Sequence, residues 1–174
     1  MNKTAFILPV LALIAAGLLS SVYIVDEREK ALVLQFGEVK SVRENPGIGF
    51  KIPLLQNVVT YDDRILGLFT QPSEVTPADD RRLVVDAFAR WRITDLVKFR
   101  QATGTGGVRT AQARIEPILN AAIKEVLGSV PSQRVLSEDR TSLMNLIRDQ
   151  ARRQAASLGV DVVDVRLTRT DLPE

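Results

Sequence analysis

Leu83-Val84-Val85-Asp86-Ala87-Phe88-Ala89-Arg90-Trp91-Arg92-Ile93 is the stretch on which the fold turns. Leu83, Val85, Ala87, Ala89, Trp91 and Ile93 alternate with Val84, Asp86, Phe88, Arg90 and Arg92. A period of two sends alternate side chains to opposite faces of an extended chain, so the spacing predicts a long half-buried strand.

Downstream the period changes. A short helical piece over residues 96–102 runs into a glycine-rich turn at Gly104, Gly106 and Gly107. Val108, Ala111, Ile115, Ile118, Leu119, Ala122, Ile123 and Val126 then recur at steps of three and four, which places them on one face of a helix ending near Gly128. Pro117 inside it is expected to kink or restart the helix. A second helix is expected to begin near Ser137, whose hydroxyl can cap the first turn beside Glu138 and Asp139, and to run through Leu143, Ile147 and Leu158 to a stop at Gly159. Residues 160–168 return to β character.

Upstream, Pro72, Ser73, Pro77, Ala78, Asp79 and Asp80 read as a loop. Residues 31–36, closed by Gly37, and residues 39–42, before a turn at Asn45, Pro46 and Gly47, read as a β-hairpin or meander. Residues 47–55 are apolar but broken by glycine and proline, and residues 57–61 are again β-prone. The ordinary reading of residues 47–55 is a core strand; the sharper one is that Ile48, Phe50, Leu54 and Leu55 dip into a membrane interface. Strands, then helices, then a strand argue an α+β domain with helices packed on one face of an antiparallel-type sheet.

Ahead of this body lies an apolar segment. Residues 4–25 carry no charge, and residues 6–25, including Phe6, Leu11, Ile14, Leu18, Val22 and Val25, are long enough at about 1.5 Å per residue to cross about 30 Å of hydrocarbon. This reads as a transmembrane helix with Pro9 in its first turn and Tyr23 at headgroup level. The competing reading is a cleaved secretory signal, with Lys3 as its basic start and Ala15, Ala16 and Gly17 as small residues near a cleavage site; the apolar run continues past that point. Arg28, Lys30, Lys40 and Arg43 outnumber Lys3, which taken literally would keep the body inside, a weak rule for a whole domain.

Composition excludes more chemistry than it supports. The 174 residues are 45% hydrophobic and 25% charged, which suits a folded domain plus a short appendage. The net charge of +2 gives no basic face for nucleic acid. No cysteine means no disulfide and no thiolate metal site, and no histidine removes the commonest metal ligand and general base. The pairs Asp62/Asp63, Asp79/Asp80 and Glu138/Asp139 sit in polar stretches beside arginines, as solvated turns and caps do. No phosphate-binding loop or G-x-S-x-G elbow occurs. No catalytic residue, cofactor or metal is expected.

The run Trp91, Arg92, Ile93, Thr94, Asp95, followed by Ala102, Thr103 and Gly104, resembles the stomatin, prohibitin, flotillin and HflK/HflC superfamily, also called SPFH or band 7. Residues 33–37 (V-L-Q-F-G), Pro46 with Gly47, residues 50–53 (F-K-I-P), Asp63 with Arg64, residues 162–166 (V-V-D-V-R) and Leu172 with Pro173 extend the likeness over nearly the whole chain, nearest to the HflC-like branch. The resemblance implies a short cytoplasmic tail at residues 1–5, the transmembrane helix at 6–25 and an SPFH domain at 26–174, strand-rich over about 26–80 and strand-helix-helix-strand over about 81–170. Trp91, Arg92, Ile93 and Asp95 would be a structural motif of that domain. It further implies a bacterial inner membrane protein with a periplasmic body, against the literal charge count. Its role would be a scaffold in a hetero- or homo-oligomer touching membrane lipid, an HflK-like partner and the membrane protease FtsH. Relatives of the branch have been labelled proteases; the missing histidine and cysteine argue against that here. Relatives continue past the final strand into a long helical region rich in alanine and charge, whereas this sequence stops at Pro173 and Glu174, so a fragment is expected. Two other classes stand beside the scaffold: a stomatin-type lipid organiser without a protease partner, and a membrane-bound hydrolase using Asp or Ser.

Overall fold

Val22, Tyr23, Ile24 and Val25 are all strong β-formers, and a strand is what they build. The structure is a computed structural model that describes residues 16–80, 82–136 and 140–171. Within it the chain forms two compact units, Met1–Asp63 and Arg64–Glu174.

The first unit holds β1 (Val22–Val25), β2 (Glu29–Gln35), β3 (Glu38–Arg43), β4 (Gly47–Phe50) and β5 (Gln56–Asp62). β1 pairs antiparallel with β4, and β3-β2-β5 form an antiparallel sheet. The expected transmembrane helix over residues 6–25 is corrected at its far end: Val22 and Val25 lie in β1, paired with Phe50 and Gly47. Helical backbone stops with residues 16–20, which include Leu18. A short apolar run is compatible with either conformation, and the four-residue ladder to β4 decides it. Phe6, Leu11 and Ile14 lie outside the described residues, and among the described residues no helix is long and apolar enough to cross a membrane. β2 is the central strand, and its Ala31, Leu32, Val33 and Leu34 are all buried. The expected hairpin is present: β2 and β3 are joined by the two residues Phe36 and Gly37, both with positive φ (53° and 88°), the signature of a type I′ turn.

In the second unit β8 (Leu83–Ile93) is the long strand read from the alternation, with Leu83, Val85, Ala87, Ala89, Trp91 and Ile93 all buried. β6 (Leu66–Phe69) and β7 (Ser73–Val75), neither foreseen, lie end to end along one edge of β8. Between them the backbone N–H of Thr70 donates to Ala87 O, and its Oγ1 accepts from Ala87 N, each at 2.9 Å. β9 (Val160–Asp171) pairs antiparallel along the other edge. Strict alternation in β9 would carry the face of Val160 and Val162 on to Asp164. A register shift opposite Arg90/Trp91 absorbs one residue, so Val165 and Leu167 take the core positions and Asp164 does not.

Helices cover the apolar side. α1 (Leu96–Thr103) follows the N-cap Asp95, and α2 (Gly107–Gly128) buries Ala111, Ile115, Leu119, Ala122, Ile123 and Leu127. Pro117 does not restart α2. It lies on the exposed face, where water can satisfy the carbonyl one turn back that a proline leaves without a donor. A short α3 (Ser132–Leu136) was not foreseen, and its Ser132 is held by the carboxylate of Asp79. α4 (Arg140–Ala155) buries Leu143, Ile147, Ala151 and Ala155. The proposed cap at Ser137, with Glu138 and Asp139, lies outside the described residues. A 3-10 turn, Ala156–Leu158, ends on Gly159 in the left-handed region.

Helix side chains also reach the sheet edges. Gln71 N donates to Glu116 Oε1 of α2 at 3.1 Å beside β7, while Arg140 Nη2 and Arg152 Nε of α4 donate to the β9 carbonyls of Leu167 and Val162 at 2.6 and 3.1 Å. Edge groups used in this way are not templates for stray strands.

Candidate membrane-facing surface

The β1–β4 ribbon sorts its side chains by register. Tyr23 and Val25 share one face with Gly47 and Gly49, and the Tyr23 ring lies so close over Gly49 that a Cβ there would collide with it. The other face carries Val22, Ile24, Ile48 and Phe50, and all four are exposed, Ile24 at 74% and Phe50 at 76%. Residues 47–50 are therefore a strand, but not the core strand that was their ordinary reading. An apolar face this open on a two-stranded ribbon is a place for something else to sit.

The chain beyond Phe50 is held tightly. Lys51 N donates to Ser21 O at 2.7 Å and Ser21 Oγ donates to Lys51 O at 2.5 Å, which lock the loop to the residue that follows the helical turn at 16–20. Ile52 N donates to Gln56 Oε1 at 2.8 Å, and Gln56 N closes back on Ile52 O at 3.0 Å. Inside this clasp Leu54 takes φ 69°, a left-handed conformation that costs a residue with a Cβ about 1–2 kcal/mol. No burial within the chain compensates, because Leu54 is fully exposed at 104% of its reference area. The backbone spends energy to hold a leucine in the open.

Ile48, Phe50, Leu54 and Leu55, the candidate interface residues, are thus all exposed in one unit, and the structure adds Val22, Ile24 and Ile52 to them. Val22 and Ile24 escaped the sequence reading because a uniformly apolar segment gives no sign of where a helix yields to a strand. Burying one such side chain fully is worth about 1.5–3 kcal/mol, so a few of them, half immersed, would hold a small unit against a bilayer. Arg43 Nη2 donates to Ile48 O at 2.9 Å, which sets a cation at the far end of the ribbon.

The motif residues lie in the second unit and are architectural. Trp91 is wholly buried, its ring stacked on Phe99 with centroids 6.4 Å apart, and its Nε1 has no hydrogen-bond partner among the described residues. Ile93 is buried on the same face, and Arg92 projects from the other to pair with Asp161 at 3.6 Å. Asp95 caps α1, accepting from Val97 N and Lys98 N at 3.0 Å each. The bond from Lys98 N holds its carboxyl below the usual aspartate value, against a smaller opposing effect of burial. Two arginines of α4 are engaged within the chain: Arg148 pairs with Asp149 at 2.8 Å and Arg152 with Asp161 at 2.7 Å. Among the described residues no group of three acidic side chains is placed to hold a metal ion.

Comparison with known proteins follows the same outline. The family described as SPFH domain / Band 7 matches residues 23–174, beginning within β1. Among similar curated proteins, "Protein HflC" of Haemophilus influenzae is 29% identical over 97% of this chain and 60% of its own length. "Protein HflC" of Buchnera aphidicola (Acyrthosiphon pisum) is 32% identical over 88% of this chain and 56% of its own. "Modulator of FtsH protease HflC" of Escherichia coli K12 is 24% identical over 96% of this chain and 64% of its own. The chain thus spans about three fifths of the length of the curated relatives it matches. With a buried Trp91, a capping Asp95 and the matched span covering every strand from β2 to β9, the chain belongs to the SPFH domain / Band 7 family.

Proposed function

We propose that this chain is a membrane-anchored, HflC-like scaffold subunit that, with an HflK-like partner, forms a ring or cage regulating access to the membrane protease FtsH. The observation that carries the membrane part is the exposed apolar ribbon and loop directly following an uncharged N-terminal segment. The regulatory part rests on similarity to a protein named for modulating FtsH. In this reading the uncharged segment ahead of β1, residues 4–21, anchors the chain in a bacterial inner membrane, the N-terminus is cytoplasmic, and the SPFH domain is periplasmic with Ile48, Phe50, Leu54 and Leu55 against lipid. The body acts by occupying space and touching neighbours. A chain without histidine or cysteine suits that better than bond-breaking chemistry.

Purification from cells in mild detergent tests the proposal. Co-purification of FtsH and an HflK-like chain supports it. A lone oligomer carrying lipid would favour the stomatin-type organiser, and turnover of a test peptide by FtsH-free protein would favour a hydrolase. Protection of the domain from externally added protease in right-side-out spheroplasts would contradict the periplasmic placement.

A further inference from the structure

The first unit is polarised along its strands. The pair Gln35↔Gln56 places the β2–β3 turn, Phe36 and Gly37, beside the clasped loop at residues 51–55. The pair Val22↔Phe50 brings the start of β1 to the same end. At the opposite end, where Val25 meets Gly47 and Glu29 meets Asp62, the turns hold Asp26, Glu27, Arg28, Glu44 and Asp63. One end is therefore mainly apolar, with Lys51 and Glu38 as its nearest charges, and the other is crowded with charge.

Phe36 repeats the peculiarity of Leu54. It sits at φ 53° in a position where a type I′ turn favours asparagine, and it is 82% exposed. A bulky side chain with positive φ is an outlier, and here no packing within the chain explains it. Two such residues, on connections that meet the same end of the β3-β2-β5 sheet, share a backbone conformation and a chemistry.

We propose that the Phe36 turn is a second insertion point into the bilayer interface, acting beside the Leu54 loop. The occupant is lipid rather than a protein groove because this end is also where the uncharged residues 4–21 enter the fold. Glu38 closes the turn opposite Gln35 and is exposed, as is Lys40, the bulged residue of β3. Insertion is accordingly shallow, with the ring among the upper acyl carbons and both charges in the headgroup layer. The inference rests on the membrane-facing reading of the first unit.

Because the chain has no cysteine, single probes can be placed cleanly. The full chain carrying Phe36→Cys, Leu54→Cys or Glu27→Cys is labelled with an environment-sensitive fluorophore. It is then reconstituted into phosphatidylcholine/phosphatidylglycerol vesicles with a nitroxide on the upper acyl chain. Probes at 36 and 54 should shift to the blue, be quenched by the nitroxide lipid and resist aqueous iodide; a probe at 27 should do the reverse. A wet probe at 36 with a lipid-quenched probe at 54 overturns the second insertion point and leaves the membrane-facing reading intact. Wet probes at both overturn both, and a blue-shifted probe at 36 that nitroxide lipid does not quench means a protein contact and also overturns the proposal. Phe36→Asn supplies an independent check: asparagine suits the turn, so the melting temperature in detergent should hold or rise, and a fall would mark the ring as a core element.

Discussion

Replacing Gly159 by alanine should be among the most damaging single-methyl additions this protein can receive. Gly159 lies at φ 72° and ψ 24°, and its carbonyl accepts from the N–H groups of both Thr94 and Asp95 at 3.0 Å. A Cβ there would collide with the carbonyl oxygen of Asp95 and lie 2.7 Å from Phe99 N, the two atoms that form the first backbone bond of α1 at 2.9 Å. Neither atom belongs to a side chain that could rotate away. The left-handed conformation costs about 1–2 kcal/mol for alanine. Loosening two or three of these backbone bonds adds about 0.5–1.5 kcal/mol each. The total, about 2–6 kcal/mol, is a large share of the roughly 5–15 kcal/mol that holds a domain folded. Gly107→Ala isolates the cost of positive φ alone: Gly107 also has positive φ (56°) but open space at its Cβ, so its cost should stop at about 1–2 kcal/mol. Urea unfolding in detergent, followed by the fluorescence of Trp91, the one tryptophan and a buried reporter in the same unit, measures both. Equal losses for the two variants would refute the argument that the approach to α1, rather than φ alone, requires glycine at 159.

Trp91→Ala should cost about 3–5 kcal/mol by melting temperature, since the ring is wholly buried against Phe99, while Trp91→Phe should cost much less because Nε1 has no partner among the described residues to lose. Thr70→Val leaves Ala87 N–H facing a methyl group inside the sheet and should cost about 1–3 kcal/mol in the same assay. Asp95→Ala removes the cap of α1 at about 1 kcal/mol. Because the native carboxyl titrates below its ordinary value of 3.8, the charge-dependent part of that stability is present above about pH 4 and lost as pH falls through the lowered value. The gap between wild type and variant should therefore narrow as the pH is lowered from about 6 through the acid range; a constant gap would mean the charge of Asp95 contributes nothing.

Long periodic segments were legible in the sequence because their pattern is imposed by the face they bury. β8 is bounded by the residues its alternation marks, and α2 runs to Gly128 as its spacing implies. Two short strands of the second unit were not legible. β6 and β7 are four and three residues long, too short to display a period, and they exist because β8 offers them an edge. The candidate surface was half legible. Residues 48–55 look apolar and irregular in sequence, which raises the interface reading, but a core strand looks the same until burial is known. Val22 and Ile24 were hidden inside a run that reads as continuous helix, and Phe36 read as the last residue of a strand, with no hint of its left-handed backbone.

By itself the sequence determined the α+β class, the antiparallel character of the strands, the positions of the long helices, the absence of histidine and cysteine chemistry and membership of the SPFH domain / Band 7 family. These follow from composition, from local periodicity and from short motifs, all of which act over neighbouring residues. Tertiary structure alone decided which apolar residues are core and which stand open, because identical side chains at Leu34 and Leu54 differ only in what the rest of the chain brings against them. It also decided where the N-terminal apolar run becomes β1, since that depends on Gly47–Phe50 arriving from twenty-odd residues away to complete a ladder.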